Sequence, residues 1–431
     1  MTLASELVVH GGRPLRGRLR LPGCKGISHR ALLFAAIADG PSRITNLADG
    51  QDVASTARAL EQLGIRLRRD DERSVSMTAR GVEGFRESET VIDCGNSGTT
   101  MRMLCGLVAG RPFLSILTGD DSLSSRPMGR VVTPLRAMGA QLDGRADGAL
   151  APLTVRGGSL TGVRHELAVA SGQVKTALVL AGLQADGETE IVEPAPSRDH
   201  TERMLGALHV PIERVTDRTV RVRAGAPDAF ELAVPGDPSS AAFFVVAACI
   251  VPGSSIVLED VSLNPARIEY VDLLREMGAR IEVDVTETRV GEPVGTIAVE
   301  AAPLHGIEIS GREAIIDELP VLAIAGAFAE GVTTIRDAKE LAVKETNRIG
   351  ALEQELTQLG VGVEARADGL VVRGGKPRGA TLKSHGDHRI ALCGAVAGLA
   401  AEGETTVRGW PAVAISYPGF EADLASLLGE A

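Results

Sequence analysis

Six times along the 431-residue chain a charged or small polar cluster runs directly into a long apolar stretch, which ends in glycine and gives way to a strand-like segment. The stretches end at Gly40, Gly110, Gly187, Gly253, Gly331 and Gly403, spaced 70, 77, 66, 78 and 72 residues apart. So regular a period predicts a repeated supersecondary unit. Each unit continues in one order: apolar helix, glycine stop, short strand, polar loop, amphipathic helix, second stop, further strand. In the first unit these parts fall at 30–39, Gly40, 43–46, 54–63, Gly64 and 65–68. The second helices stop at Leu63-Gly64, Met138-Gly139, Met277-Gly278 and Leu359-Gly360, with Leu208 in the equivalent place of the third unit. Glycine just past a helix is the usual left-handed cap. The first helices are apolar nearly all round, whereas the second carry stripes such as Leu273 and Leu274 with Met277. The first therefore belong inside and the second outside.

Three units per domain give two similar α/β domains of ordinary size. Val-Pro-Gly-Asp-Pro interrupts the pattern near 233–237 and marks the break. The stretch Glu6–His10 reads as a strand that could pair with either half. A hydrophobic content of 44% suffices to bury both domains, and a formal net charge of −11 argues against a broad nucleic-acid or acidic-lipid surface. An anionic ligand must then be met by a local basic pocket. The five cysteines are odd in number, scattered, and lack any Cys-x-x-Cys spacing, as expected in a reducing compartment. The first residues show no basic region followed by an apolar core, and no apolar run reaches the roughly twenty residues needed to span a bilayer. The expectation is a soluble, cytoplasmic chain.

Period alone fits a packing repeat with no ligand; the openings of the units carry the chemistry. Each cluster would stand at the N-terminus of a buried helix, where unpaired N–H groups and the helix dipole favour an anion. Lys25 and Arg30 flank a glycine just before the first helix. Gly95-Asn-Ser-Gly-Thr-Thr100 could cradle a phosphate or carboxylate, or could be a tight turn with Asn96 or Thr99 as the cap. Arg126 sits in a loop where its guanidinium could grip an oxyanion in a bidentate fork. Ser197–Arg203 reads equally as a capped, salt-bridged helix start, and Lys344 and Arg348 as one face of a solvated helix. Asp387, His388 and Arg389 abut an apolar helix directly, so they share partners or a ligand; His388 could be a general base or structural. No His-x-x-x-His, cysteine cluster or carboxylate cage is present, so neither a metal nor a cofactor is expected.

Taken together, PGCKGISHR, GNSGTTMR, SSRPM, SGQVK, PSRDHTERML, VPGDPSSAAFF, IIDELPVLA, VKETNRI and GDHRIA resemble the 5-enolpyruvylshikimate-3-phosphate synthase family, in that family's order and across nearly the whole chain. The resemblance implies a two-domain inside-out α/β barrel of the enolpyruvyl transferase type, with six βαβαββ units, three per domain. The domains would span 15–232 and 1–14 plus 233–431, closing on a ligand between them. It implies transfer of the enolpyruvyl group of phosphoenolpyruvate to the 5-hydroxyl of shikimate 3-phosphate by addition and elimination. Lys25, Gly98, Arg126, Gln173, Arg348 and Arg389 would then hold phosphoenolpyruvate. Arg30, Ser171, Gln173, Arg198, Asp317 and Lys344 would hold shikimate 3-phosphate. Asp317 would be the base, Glu345 the acid at the methylene carbon, and Lys25 the support for charge at the reacting phosphate. Glyphosate would share the phosphoenolpyruvate site, with room left by Gly98. The family is commonly monomeric.

Three residues depart from the family pattern. Gly26 replaces a serine that contacts the shikimate carboxylate, Asn347 an aspartate, and Ile415 a lysine found in some branches. Losing a hydroxyl bonded to a charged group typically costs on the order of 1.5–3 kcal/mol. Two other readings follow from these changes: a paralogous enolpyruvyltransferase with another cyclic acceptor, or a ligand-binding homologue without turnover. A uridine-sugar enolpyruvyltransferase is disfavoured, because the Arg126 loop has no cysteine.

Overall fold

In the computed structural model, which describes residues 4–429, six inner helices begin where the polar clusters meet the apolar stretches. Met1–Leu3, part of the stretch read for a leader, lie outside the described residues. The inner helices are α1 (Lys25–Ile37), α2 (Gly98–Ala109), α3 (Gly172–Gly182), α4 (Pro238–Ile250), α5 (Leu319–Ala327) and α6 (His388–Ala400). All nine residues of α5 are buried, as are nearly all of the others, because no face of these helices is polar. The outer helices bury one side only; Pro265–Glu276 turns Tyr270, Val271 and Leu274 inward.

Sheets cover the inner helices, and each strand alternates to suit: along Leu150–Arg156, residues Ala151, Leu153 and Val155 are buried while the intervening ones are not. The second, third and fifth repeats have one topology. An opening strand runs parallel to the strand after the inner helix, which pairs antiparallel with the last strand, which in turn pairs antiparallel with the third. That is βαβαββ. The first repeat borrows its opening strand: Glu231–Ala233 pairs in parallel with Arg43–Thr45, nearly two hundred residues earlier. The fourth borrows Arg16–Arg20, parallel to Ser255–Ser262. The sixth is shorter than the repeat predicts. It ends in the 3-10 turn Trp410–Ile415 and the helix Phe420–Leu428, and Glu6–His10 completes its three-stranded sheet, antiparallel to Glu404–Arg408.

Two compact units result, each with its own apolar core. One comprises Gly23–Val234 with Thr288–Glu292; the other takes the described residues through Pro22, Pro235–Glu287 and those from Pro293 onward. The divisions fall at 22/23 and 234/235, not at 14/15 and 232/233, because the borrowed strands go with their sheets.

The glycine stops differ between the two helix sets. After the outer helices, Gly64, Gly139, Gly278 and Gly360 adopt φ of +92°, +105°, +101° and +79°, as a left-handed cap requires, with His209 at +59° in the third repeat. The inner helices end at caps Ala38, Gly110, Leu183, Val251, Phe328 and Ala401, all but α2 earlier than expected. Of these only Gly110 is a glycine, and its φ is −89°. Gly40, Gly187, Gly253, Gly331 and Gly403 instead serve positive-φ positions at or within the strand that follows. One glycine is needed for packing: a Cβ on Gly106 of α2 would lie 1.9 Å from the Ala177 carbonyl oxygen of α3.

Candidate active site

In the unit built on Gly23–Val234, the predicted residues gather at the starts of α1, α2 and α3. Lys25 and Arg30 lie inside α1, not in a loop before it: Lys25 is the first helical residue and Arg30 is more than a turn further on. Lys25 Nζ sits 3.0 Å from Asp52 Oδ2, in the first turn of the outer helix Gln51–Gln62, and keeps 27% of its side chain exposed. The Arg30 guanidinium is buried and donates to Thr201 Oγ1 (2.8 Å), the Gly26 carbonyl (2.9 Å), the Gly172 carbonyl (3.2 Å) and Thr176 Oγ1 (2.8 Å). It thereby locks α1 to α3 and to the helix His200–Ala207. A Cβ at residue 26 would rest 3.5–3.7 Å from His200 and Arg30, which is ordinary contact. Gly26 is thus a missing hydroxyl, not a steric necessity.

At α2 the cap is neither Asn96 nor Thr99 but Ser97, whose Oγ accepts the Thr100 N–H at 3.1 Å. Asn96 reaches outward instead, donating to Asp120 Oδ2 (2.7 Å) and accepting from Arg126 Nη2 (2.6 Å), which fixes Arg126 beside the glycine loop. Gln173, on the first turn of α3, donates to Thr99 Oγ1 (3.0 Å) and accepts from Arg102 Nη1 (2.7 Å). Ser171 caps α3, its hydroxyl accepting from the Val174 N–H. Arg198 packs over the same turn: a Cβ on Gly172 would lie 3.3 Å from the Arg198 Cβ. Lys25, Arg30, Arg102, Arg126 and Arg198 thus concentrate positive charge around the starts of α1, α2 and α3 in a net-negative chain.

Beneath it runs a buried polar chain. His29 Nδ1 meets Thr56 Oγ1 at 2.7 Å, which meets Thr100 Oγ1 at 2.7 Å, which donates to Ser97 Oγ at 2.7 Å. Burial, against the attraction of Asp52 and with help from the positive charges of Lys25 and Arg30, lowers the His29 pKa to about 3, so the ring is neutral.

In the other unit, Asp317 precedes α5 within reach of three cations. Its carboxylate lies 3.7 Å from Lys344 Nζ, 3.4 Å from Arg348 Nη1 and 3.8 Å from Arg389 Nη2, while its carbonyl accepts from Arg389 Nη1 at 2.8 Å. Arg348 is not solvated as expected but only 1% exposed. Its Nη2 donates to Glu345 Oε2 at 2.6 Å and its Nε to Asp387 Oδ2 at 2.8 Å. Burial works against its charge, but Asp387, Glu345 and Asp317 more than offset this and raise its pKa further. Asp387 also caps α6 by accepting the Arg389 N–H at 2.8 Å. Lys344 and Glu345 are not on a helix: they lie between the turn Lys339–Val343 and the helix Arg348–Gln358. Asn347 retains the capping function of an aspartate, its Oδ1 accepting from Gly350 N–H at 3.3 Å. His388 is the buried first residue of α6.

Sequence reasoning assigned no role to Asp52 or Arg102, and gave Asp387 only shared partners or a ligand with His388 and Arg389. Arg102 lay inside a quoted motif, and a charge abutting an apolar helix, the signal used for Asp387, was available for it too. Among the described residues no cluster of three metal-ligating side chains occurs, and no helix is long and apolar enough to cross a membrane.

The sequence matches the family described as EPSP synthase (3-phosphoshikimate 1-carboxyvinyltransferase) over residues 9–424. A 3-phosphoshikimate 1-carboxyvinyltransferase of Bacillus cytotoxicus is 47% identical over 417 residues, covering 96% of this chain and 98% of that one. One from Chloroflexus aggregans is 49% identical over 431 residues, covering 98% and 99%. Among solved structures, an EPSP synthase of Acinetobacter baumannii superposes with a TM-score of 0.87 at 37% identity, covering 97% of each chain. The enolpyruvyl transferase NikO of Streptomyces tendae shares the fold, with a TM-score of 0.78 at 22% identity, covering 98% of this chain and 97% of that one.

Proposed function

The chain belongs to the EPSP synthase family, the 3-phosphoshikimate 1-carboxyvinyltransferases, and we infer from this that it transfers the enolpyruvyl group of phosphoenolpyruvate to the 5-hydroxyl of shikimate 3-phosphate with release of phosphate. The reaction is the shikimate-pathway step that serves chorismate and aromatic amino-acid synthesis. Both substrates are polyanions, which suits the cationic side chains found in each unit. In our reading Lys25, Gly98, Arg126, Gln173, Arg348 and Arg389 bind phosphoenolpyruvate, and Arg30, Ser171, Gln173, Arg198, Asp317 and Lys344 bind shikimate 3-phosphate.

The supporting observation is that Asp317 and Glu345, proposed as base and acid, both pair with the one guanidinium of Arg348. A substrate carboxylate that takes Arg348 competes with Glu345 for it. A carboxylate that gives up a cationic partner holds a proton more readily. In this reading donor binding prepares Glu345 to protonate the methylene carbon, while Asp317, which also faces Lys344, takes the hydroxyl proton. The acceptor oxygen bonds to the central carbon of phosphoenolpyruvate in that step. In the second, the new methyl group returns a proton to Glu345, the carbon–oxygen bond to phosphate breaks, the proton held by Asp317 leaves with the phosphate, and Lys25 meets the charge on the leaving group. The proposal extends to a cytoplasmic monomer that needs no cofactor; its five cysteines are buried.

The test is phosphate release from phosphoenolpyruvate with shikimate 3-phosphate, shikimate or no acceptor. Turnover confined to shikimate 3-phosphate is expected; turnover with neither, by folded protein that binds phosphoenolpyruvate, overturns the acceptor. Glu345→Gln is expected to lower kcat by about a thousandfold, within the range of general acid–base catalysis, while both substrates still bind. A variant keeping most of its rate removes Glu345 as the acid.

A further inference from the structure

Helix α3 carries a single charge, Lys175, one turn into an otherwise apolar sequence. Its Nζ is 2.9 Å from Glu193 Oε2 and 2.7 Å from Glu202 Oε1, and all three side chains are at least nine-tenths buried. Burial alone would lower the Lys175 pKa, but Glu202 and Glu193 outweigh it and leave it raised. Two carboxylates around one ammonium make a poor device for stability alone. Apolar side chains of the same volume often serve as well, and Glu202 Oε2 finds no hydrogen-bond partner among the described residues.

What the cluster does accomplish is a bridge between two loops. Glu193 follows directly on the strand Glu188–Val192 and is anchored there by its own N–H, bonded to the Arg218 carbonyl at 2.8 Å. From that fixed point Oε1 accepts the N–H of Ser171 at 3.1 Å and Oε2 accepts the hydroxyl of Ser197 at 2.9 Å. Ser171 caps α3, and Ser197 immediately precedes Arg198. The two loops therefore hang from one carboxylate, and Lys175 holds that carboxylate in place from below.

We propose that Glu193, seated on Lys175, is a positioning residue that sets the spacing of Ser171 and Arg198 and so the affinity for the phosphorylated acceptor. This rests on the reading that Ser171 and Arg198 bind shikimate 3-phosphate. Misplacing a binding group by about 1 Å is enough to cost a large factor in a preorganised site.

The test separates charge from reach. Glu193→Asp keeps the ion pair with Lys175 but is one methylene too short to hold both loops. Glu193→Gln keeps the length and loses the charge. Glu202→Gln alters the same cluster without touching the bridge. Each is assayed for kcat and for both KM values, and shikimate 3-phosphate binding is measured by calorimetry, with Arg198→Ala in parallel. For Glu193→Asp the expected result is a rise of about tenfold in KM and Kd for shikimate 3-phosphate, with kcat and the phosphoenolpyruvate KM within about threefold. Glu202→Gln should leave all three within about twofold. Wild-type acceptor KM in Glu193→Asp, or equal losses in both Glu193→Asp and Glu202→Gln, overturns the positioning role. If Glu193→Gln fails to fold, Glu193→Asp still decides. If Arg198→Ala also leaves the acceptor KM unchanged, it is the assignment of Arg198 that falls.

Discussion

His29 shows how a single buried side chain leaves a signature in solution. Its Nε2 has no partner among the described residues, and its pKa is lowered from 6.5 to about 3, chiefly by burial. Below pH 6.5 the unfolded chain binds a proton there that the folded chain refuses, so this residue makes stability fall with falling pH, by up to about 1.4 kcal/mol per pH unit down to about pH 3. His29→Asn should remove one proton's worth of that slope between pH 6 and 5 in urea unfolding; an unchanged slope would mean the ring is charged when folded. Gly98 is a second such position. A Cβ there would come 2.8 Å from Arg102 Nη1, the group that holds Gln173. We expect Gly98→Ala to displace that guanidinium and to weaken glyphosate more than phosphoenolpyruvate; equal losses in inhibition and turnover assays would count against the placement of Gly98 at the donor.

Helices buried on every side were the most legible elements in the sequence, because few other elements need an unbroken apolar run such as Leu319–Ala327. The partners of nearby charged side chains were not. Lys25, Arg30 and Arg348 looked like loop or surface charges, since the carboxylates that allow Lys25 and Arg348 inside a helix or a core, Asp52 and Asp387, lie 27 and 39 residues away. The borrowed strands were equally hidden: Glu231–Ala233 finds its sheet only through a partner at Arg43–Thr45, and no local pattern announces such a pairing. Helix packing supplies its own prediction. Gly106→Ala should force α2 and α3 apart and destabilise the unit by about 1–3 kcal/mol, read as a lower urea midpoint. Gly206→Ala, on the exposed side of the helix His200–Ala207 with nothing within 4 Å of its Cβ, should instead stabilise by up to about 1 kcal/mol. A gain at both positions would show that helix propensity, not the α2–α3 contact, governs Gly106.

A chain of formal charge −11 that handles two polyanions must concentrate its cations, and it does so at the starts of the inner helices. Lys25 is partly exposed, so its attraction is screened by salt, whereas the enclosed Lys175–Glu193 pair is shielded. Raising ionic strength from about 0.05 to 0.5 M shortens the screening length severalfold and should raise both KM values while leaving thermal stability nearly constant; KM values insensitive to salt would argue against long-range attraction of the substrates. The borrowed strands bear on how such a chain is made. Glu6–His10 leaves the ribosome early, but its partner Glu404–Arg408 emerges almost four hundred residues later. At about 5–20 residues per second the wait is roughly 20–80 s. For that time a nascent chain carries an unpaired strand edge, so a slowed or stalled translation of the second half would expose it longest, and a holdase that covers the N-terminus would be the natural remedy.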